Sequence, residues 1–202
     1  MHDGRGTGPT DGAAATLMRD RRPRVRGVVT NEEVGDRLAN VRLLVCDVDG
    51  TLTDGAMWYG EQGEVLKRFH TRDGHGIGRL QERGVAVAFV TGERSPIVSA
   101  RAAKLGVVHV ELDCADKAAA VRRLGALLQV GRNQIAVIGD DLGDLPAFSQ
   151  AGLRVAVADA VPEIRARADL ICQLPGGQGA VRELADLIVD ALDARASGAA
   201  AP

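Results

Sequence analysis

Aromatic rings are nearly missing from this chain: its 202 residues carry three Phe, one Tyr and one Trp. So few rings exclude the stacking platforms that hold single-stranded nucleic acid, and an aromatic-lined recognition groove. The core must be aliphatic. Cysteine is scarce as well. Cys46, Cys114 and Cys172 are odd in number, far apart and without a CxxC pair, so neither a disulfide framework nor a zinc site is expected, and a reducing cytoplasm fits. No run of about 18 apolar residues occurs, and the amino-terminal stretch lacks an apolar h-region, so neither a membrane span nor export is expected. Nor does one sign of charge dominate. Twenty-five Lys plus Arg against 27 Asp plus Glu give a formal charge of -2, no global field for DNA, RNA or an anionic membrane.

What remains is ordinary for a folded protein. A hydrophobic fraction of 46% with 26% charged residues allows a sizeable core, and the length suits one domain with an appendage. Residues 1–30 are expected to be a flexible basic arm, because RDRRPRVR (19–26) has no apolar face to bury. The folded domain is expected over 31–195, beginning with a short helix at NEEVGDRLAN, and 196–202 read as a flexible tail.

Within that domain, apolar runs alternate with helical patterns. Runs at 41–48, 85–90, 107–110, 134–139, 154–158 and 169–174 read as buried parallel strands. Helices are expected at 76–82, 95–105, 116–129, 142–151, 162–168 and 180–194. This alternation predicts an α/β fold: a Rossmann-like three-layer sandwich with a parallel sheet and right-handed crossovers. After Asp54-Gly55, the runs MWYG and EVLKRF are joined by 60–63 and predict a projecting β-hairpin, from Met57 to Phe69.

In such sheets ligands bind beyond the carboxyl ends of the strands. Those ends are acidic here. Asp47 and Asp49 follow the first strand, with Asp54 past the turn, and Asp140, Asp141 and Asp144 follow the fourth. Strand alternation sends Asp47 and Asp49 to the same side, where a neighbouring strand end would bring Asp140. Carboxylates that close repel one another unless a hard cation lies between them, most naturally Mg²⁺. Thr91 and Gly92 offer a hydroxyl and an open backbone N–H, and Lys117 a fixed positive charge, as a phosphate requires. Together they describe phosphoryl transfer: Asp47 attacks phosphorus, Lys117 holds equatorial oxygens, and Asp49 protonates the leaving alkoxide and then activates water.

DVDGTLTDG (47–55), VTG (90–92), the pair Asp116-Lys117 and GDDLGD (139–144) resemble the four motifs of the haloacid dehalogenase superfamily of phosphatases, in order and spacing. The resemblance implies Asp47 as nucleophile, Asp49 as acid/base, and Thr91, Gly92 and Lys117 around the phosphate. It places Mg²⁺ on Asp47, the backbone carbonyl of Asp49 and Asp140, with Asp141 and Asp144 orienting them. Family members often insert a cap domain between motifs. Here the hairpin, helices and one strand consume those intervals, so the chain is capless, and an open site suits a large substrate or closure by a neighbouring subunit.

From about 31 to 194 the chain is similar to the 3-deoxy-octulosonate 8-phosphate phosphatase subfamily, through the hairpin, RDGHGI (72–77) and GGQGAVRE (176–183). That implies a homotetramer joined through the hairpins, with Met57, Trp58 and Tyr59 at the interface, and Arg72 and Asp73 on the substrate side. Octulosonate enzymes carry TGR where this chain has TGE. At about 100° per residue, a helix would put Glu93, Arg101 and Lys104 on one face, a set that resembles the signature of 2-keto-3-deoxynonulosonate 9-phosphate phosphatases of deaminated sialic acid synthesis. The expected substrate is therefore the nonulosonate phosphate, a phosphorylated sugar acid whose hydroxyls and carboxylate suit Glu93 and the two cations. The alternatives are the octulosonate phosphate, or a non-catalytic tetramerising or regulatory module.

Overall fold

A computed structural model describes residues 24–25 and 31–198. Apart from Arg24 and Val25, the amino-terminal arm lies outside the described residues, as do residues 199–202 of the expected tail. Within the arm, β1 (Arg24–Val25) pairs antiparallel with the far edge of the main sheet, at β9 (Leu170–Ile171).

The other strands are β2 (Leu43–Cys46), β5 (Ala86–Val90), β6 (His109–Glu111), β7 (Ile135–Gly139) and β8 (Leu153–Ala156). Their spatial order is β1-β9-β8-β7-β2-β5-β6, and all but β1 run parallel. The continuous apolar runs follow from this: every residue of β2 and β7 is buried, because helices cover both faces of the sheet. The chain first moves outward from β2 to β5 and β6, then returns to β7, β8 and β9. Right-handed crossovers therefore put α2 (Thr71–Glu82) and α3 (Pro96–Lys104) on one face, and α4 (Lys117–Leu128), α5 (Leu145–Phe148) and α6 (Pro162–Arg167) on the other. α1 (Asn31–Asn40) and α7 (Ala180–Ala196) complete the first layer, α7 packing between α1 and α2. The core is aliphatic as expected, with Phe89 and Phe148 its buried rings.

Three boundaries differ from the sequence reading. α2 begins a turn earlier than its glycines indicate, where the His70 side chain accepts from the Arg72 amide and caps it. Gly76 serves packing, since a Cβ there would lie 2.9 Å from Cα of Arg182 in α7. The expected helix over 142–151 is a 3-10 turn (Leu142–Asp144) followed by the short α5. α3 starts at Pro96, behind the extended Ser95, so Glu93 lies in the loop before it.

The hairpin projects as expected: β3 (Trp58–Gly60) pairs with β4 (Gly63–Leu66) outside the main sheet. No inserted domain separates the strand ends among the described residues. No helix of the described residues is long and apolar enough to cross a membrane.

Candidate active site

β2 is the switch point of the sheet, flanked by β5 on one side and β7 on the other. Cys46 is in register with Phe89 of β5 and Ile138 of β7, so the residues just beyond these strands meet at one end. Asp47, Thr91 and Asp140 are those residues, and the crevice they share is where open α/β sheets bind ligands.

Tight backbone turns bring the side chains together. Gly50 has φ +91°, and a Cβ there would stand 2.0 Å from Oδ2 of Asp140. Only glycine lets the loop after β2 lie against the carboxylate after β7. Below it, the GGQG segment buttresses the same loop: Gly177 donates its amide to Thr51 O at 3.0 Å, and a Cβ on Gly176 would strike Gly50 O at 1.8 Å.

Carboxylate oxygens of Asp47, Asp140 and Asp144 lie within 4.8 Å of one another. Lys117, the first residue of α4, reaches back over the helix start to Oδ1 of Asp47 at 2.5 Å and Oδ1 of Asp144 at 2.7 Å. Burial is the main reason the Asp47 carboxyl is pushed well above the usual range; the Asp144 charge adds to it and Lys117 opposes it. Asp140 is pushed up to about 6, first by burial and then by Asp144. Burial alone would lower Lys117, but Asp47 and Asp144 hold its ammonium charged.

Three carboxylates against one ammonium leave an excess of negative charge that a divalent cation would neutralise. Asp144 is already engaged at both oxygens, its Oδ2 accepting from the amides of Asp140 and Asp141 at 3.0 and 3.3 Å. It therefore orients Lys117 and the turn. Among the described residues, Asp47 and Asp140 each keep an oxygen without a cationic or backbone partner, which makes them the cluster's carboxylates for a metal. Asp141 turns away, its Oδ1 accepting from the amide of Leu142 at 2.7 Å.

Asp49 stands beside this cluster. Thr91 Oγ1 donates to its Oδ2 at 3.2 Å, and the Glu93 amide donates to the same hydroxyl at 3.0 Å. The other oxygen of Asp49 is taken by the ammonium of Lys67, which the sequence reading missed together with Glu64 and Thr51. Thr51 donates to Oδ1 of Asp140 at 2.9 Å. Lys67 follows β4, and only its folding back over the loop after β2 buries it, a contact no local pattern announces.

The residues expected to face substrate scatter. Gly92, next to Thr91, and Arg72, in the first turn of α2, are both exposed. Asp73 is 2% exposed, and its Oδ1 accepts from the Arg182 amide at the start of α7. It faces the protein interior, and burial pushes its carboxyl up. Because Glu93 precedes α3, helical arithmetic does not apply to it, and it shares no helix face with Arg101 and Lys104. Arg101 turns toward α2: its Nη2 donates to His70 O at 3.3 Å, and its guanidinium stacks 5.5 Å from the centre of the Phe69 ring. Lys104 is exposed in the last turn of α3. Cys46 is fully buried, and burial pushes its thiol up, as befits a packing residue.

Comparison with known proteins adds the chain's kinship. A profile of the haloacid dehalogenase-like hydrolases matches residues 103–183. The 3-deoxy-D-manno-octulosonate 8-phosphate phosphatase KdsC of Yersinia pestis is 47% identical over 162 residues, 80% of this chain and 87% of that protein. A crystal structure of the Yersinia pestis phosphatase superposes with a TM-score of 0.78 at 43% identity, covering 89% of this chain and 99% of the other. The Moraxella catarrhalis enzyme, crystallised with magnesium, phosphate and KDO, gives 0.78 at 35% identity, over 84% and 99%. These relatives are octulosonate phosphatases, so the resemblance to nonulosonate phosphatases and the link to deaminated sialic acid synthesis, drawn from Glu93, Arg101 and Lys104, are not supported. The chain belongs to the haloacid dehalogenase superfamily, within the KdsC phosphatase family, and is a phosphoric monoester hydrolase.

Proposed function

We propose that this protein is a Mg²⁺-dependent phosphatase that hydrolyses 3-deoxy-octulosonate 8-phosphate, through an aspartyl-phosphate on Asp47. One observation carries the reaction type: the buried Asp47 carboxylate is paired with Lys117 at the sheet's switch point, beside Asp140. Kinship favours the octulosonate over the nonulosonate, and the separation of Glu93 from the Arg101 and Lys104 helix removes the geometric argument for the latter.

In this reading an oxygen of Asp47 attacks phosphorus in line, while the Lys117 ammonium, the Thr91 hydroxyl and the Gly92 backbone N–H hold the equatorial oxygens. Asp49 gives its proton to the departing alkoxide. It then takes a proton from the water that attacks the aspartyl-phosphate, which returns Asp47 and releases inorganic phosphate. Asp47, Asp140 and the backbone carbonyl of Asp49 would hold Mg²⁺, which when bound neutralises the phosphoryl charge. Asp144 keeps Lys117 aimed at Asp47, and exposed Arg72, in the first turn of α2, is assigned to the sugar carboxylate.

The proposal includes a homotetramer joined through the hairpin. Trp58 and Tyr59 are 57% and 63% exposed, beside exposed Met57, Val65 and Leu66. A two-stranded hairpin with such a face gains stability only when the face is covered. The free thiols of Cys46, Cys114 and Cys172 suit a reducing, cytoplasmic setting.

Initial rates on octulosonate 8-phosphate and nonulosonate 9-phosphate, measured with one enzyme stock and Mg²⁺, test the substrate. We expect kcat/KM at least about 10-fold higher for the octulosonate. Preference for the nonulosonate would restore the Glu93 reading, and no hydrolysis of either would overturn the function.

A further inference from the structure

Asp49 is held on both oxygens, and its two partners differ in kind. Thr91 reaches Oδ2 with a hydroxyl that the proposed chemistry reassigns to the phosphate. Lys67 reaches Oδ1 with an ammonium whose side chain is 1% exposed. It comes from the hairpin, not from the sheet that carries the other site residues. Lys67 is itself anchored, its Nζ lying 2.6 Å from Oε1 of Glu64 three residues earlier. Glu64 in turn accepts from the hydroxyl of Ser95, the residue that opens α3. The chain of contacts Ser95, Glu64, Lys67, Asp49 ties the loop after β5, the hairpin and the loop after β2 into one unit.

Burying an ammonium is costly unless it is paired, and here two carboxylates share it. Glu64 balances the charge of Lys67 within the hairpin, so what reaches Asp49 is a fixed, directed donor. Lys67 follows the last residue of β4 and is buried, whereas Val65 and Leu66 just before it are exposed, so the chain turns inward at the hairpin base. A carboxylate held by one oxygen on a buried donor cannot turn about its Cβ–Cγ bond without breaking that pair.

We propose that Lys67 is a positioning residue for the phosphatase reaction: it fixes Oδ1 of Asp49 so that Oδ2, once Thr91 turns to the phosphate, is the oxygen that delivers the proton to the leaving alkoxide. The inference rests on the phosphatase reading and extends it to the hairpin, which becomes part of the catalytic apparatus as well as a surface for assembly.

The test compares leaving groups that need a proton with one that does not. Lys67→Met and Lys67→Gln are assayed on an alkyl phosphate, sn-glycerol 3-phosphate or the octulosonate phosphate, and on p-nitrophenyl phosphate, whose leaving group departs as a stable anion. The quantity read is the ratio of the two kcat values within each preparation, so a partly unfolded fraction cancels. General acid catalysis contributes about 10²-fold or more, so Lys67→Met should lower the alkyl-to-aryl ratio by about 10- to 100-fold, with KM little changed. Lys67→Gln, which keeps a donor, should recover part of the ratio. In an Asp49→Asn background, Lys67→Met should change the ratio no further. Equal losses on both substrates, or an undiminished further loss beside Asp49→Asn, would overturn the proposal and leave Lys67 a fold-stabilising residue. A wrong sugar acid leaves the glycerol phosphate contrast intact, whereas a wild-type protein inactive on every phosphate ester would overturn the function and this inference together.

Discussion

The ammonium of Lys117 lies 2.5 Å from Oδ1 of Asp47, joining the start of α4 to the end of β2. Both groups are largely buried, so each depends on the other, but they depend unequally. Asp47 is crowded by Asp144 and Asp140, and Lys117 is the only ammonium within the cluster among the described residues.

Substituting the two partners should therefore affect stability unequally. In metal-free protein, Lys117→Met strands two buried carboxylates and should cost about 2–4 kcal/mol, while Asp47→Asn relieves their repulsion and should leave the thermal midpoint unchanged or raised. Both should lower kcat by at least about 10²-fold, since one removes the nucleophile and the other the charge beside it. Thermal melts with EDTA, alongside steady-state rates with Mg²⁺, check the contrast. Equal destabilisation by both would contradict it.

Mg²⁺ should stabilise the protein by mass action, by about 2.7 kcal/mol at a concentration 100 times its Kd. Asp140→Asn should abolish that rise, because it removes a carboxylate of the cluster. Asp141→Asn should retain it, since that side chain caps the Leu142 amide instead. Thermal midpoints across a Mg²⁺ titration separate the two variants.

Another buried acid, Asp169, precedes β9 at the opposite end of the sheet from the site. Asp169 accepts from the amide and Nε of Arg154, both at 2.9 Å, and lies 3.3 Å from Nη1 of Arg37. Burial by itself would raise its carboxyl, but the Arg154 hydrogen bonds outweigh it and hold the group below the usual range. A depressed folded value means that the contribution to stability is complete above the unfolded pKa of about 3.9 and is lost as pH falls through the folded value. Asp169→Asn should cost about 1–2 kcal/mol at pH 7, given the partly exposed arginines. The gap from wild type in urea midpoints should shrink below about pH 4, and a gap that stays constant would contradict the assignment.

The hairpin face should control assembly. Trp58→Lys with Tyr59→Lys puts charge on two exposed rings, and light scattering should report a smaller species than wild type. Neither side chain belongs to the Lys67 contact chain, so circular dichroism of the sheet and helices should be unchanged. A wild-type monomer would exclude the tetramer.

The strand-end chemistry was legible because it needs only periodicity and adjacency. Asp47 and Asp49 follow an unbroken apolar run, Asp140 follows another, and parallel sheets collect such ends on one side. The placement of Glu93 on a helix was misread for a local reason. A proline fixes its own φ and holds the preceding residue extended, so the Ser95-Pro96 pair marks a helix start that excludes Glu93. That signal lay in the sequence.

Asp73 and Lys67 carry no such signal. Asp73 sits in a polar motif that reads as substrate-facing, yet it is turned inward to the Arg182 amide because α2 and α7 pack closely through Gly76. Lys67 follows exposed Val65 and Leu66 in a projecting hairpin and reads as a solvated cation. The sequence by itself determined the parallel sheet and the acidic crevice with its lysine, since these follow from hydrophobic period and the order of strand ends. Only the tertiary structure decided which charged side chains enter that crevice. A long side chain's burial depends on where a distant loop or helix lies, and Lys67 meets Asp49 only once the hairpin has folded back over the loop after β2.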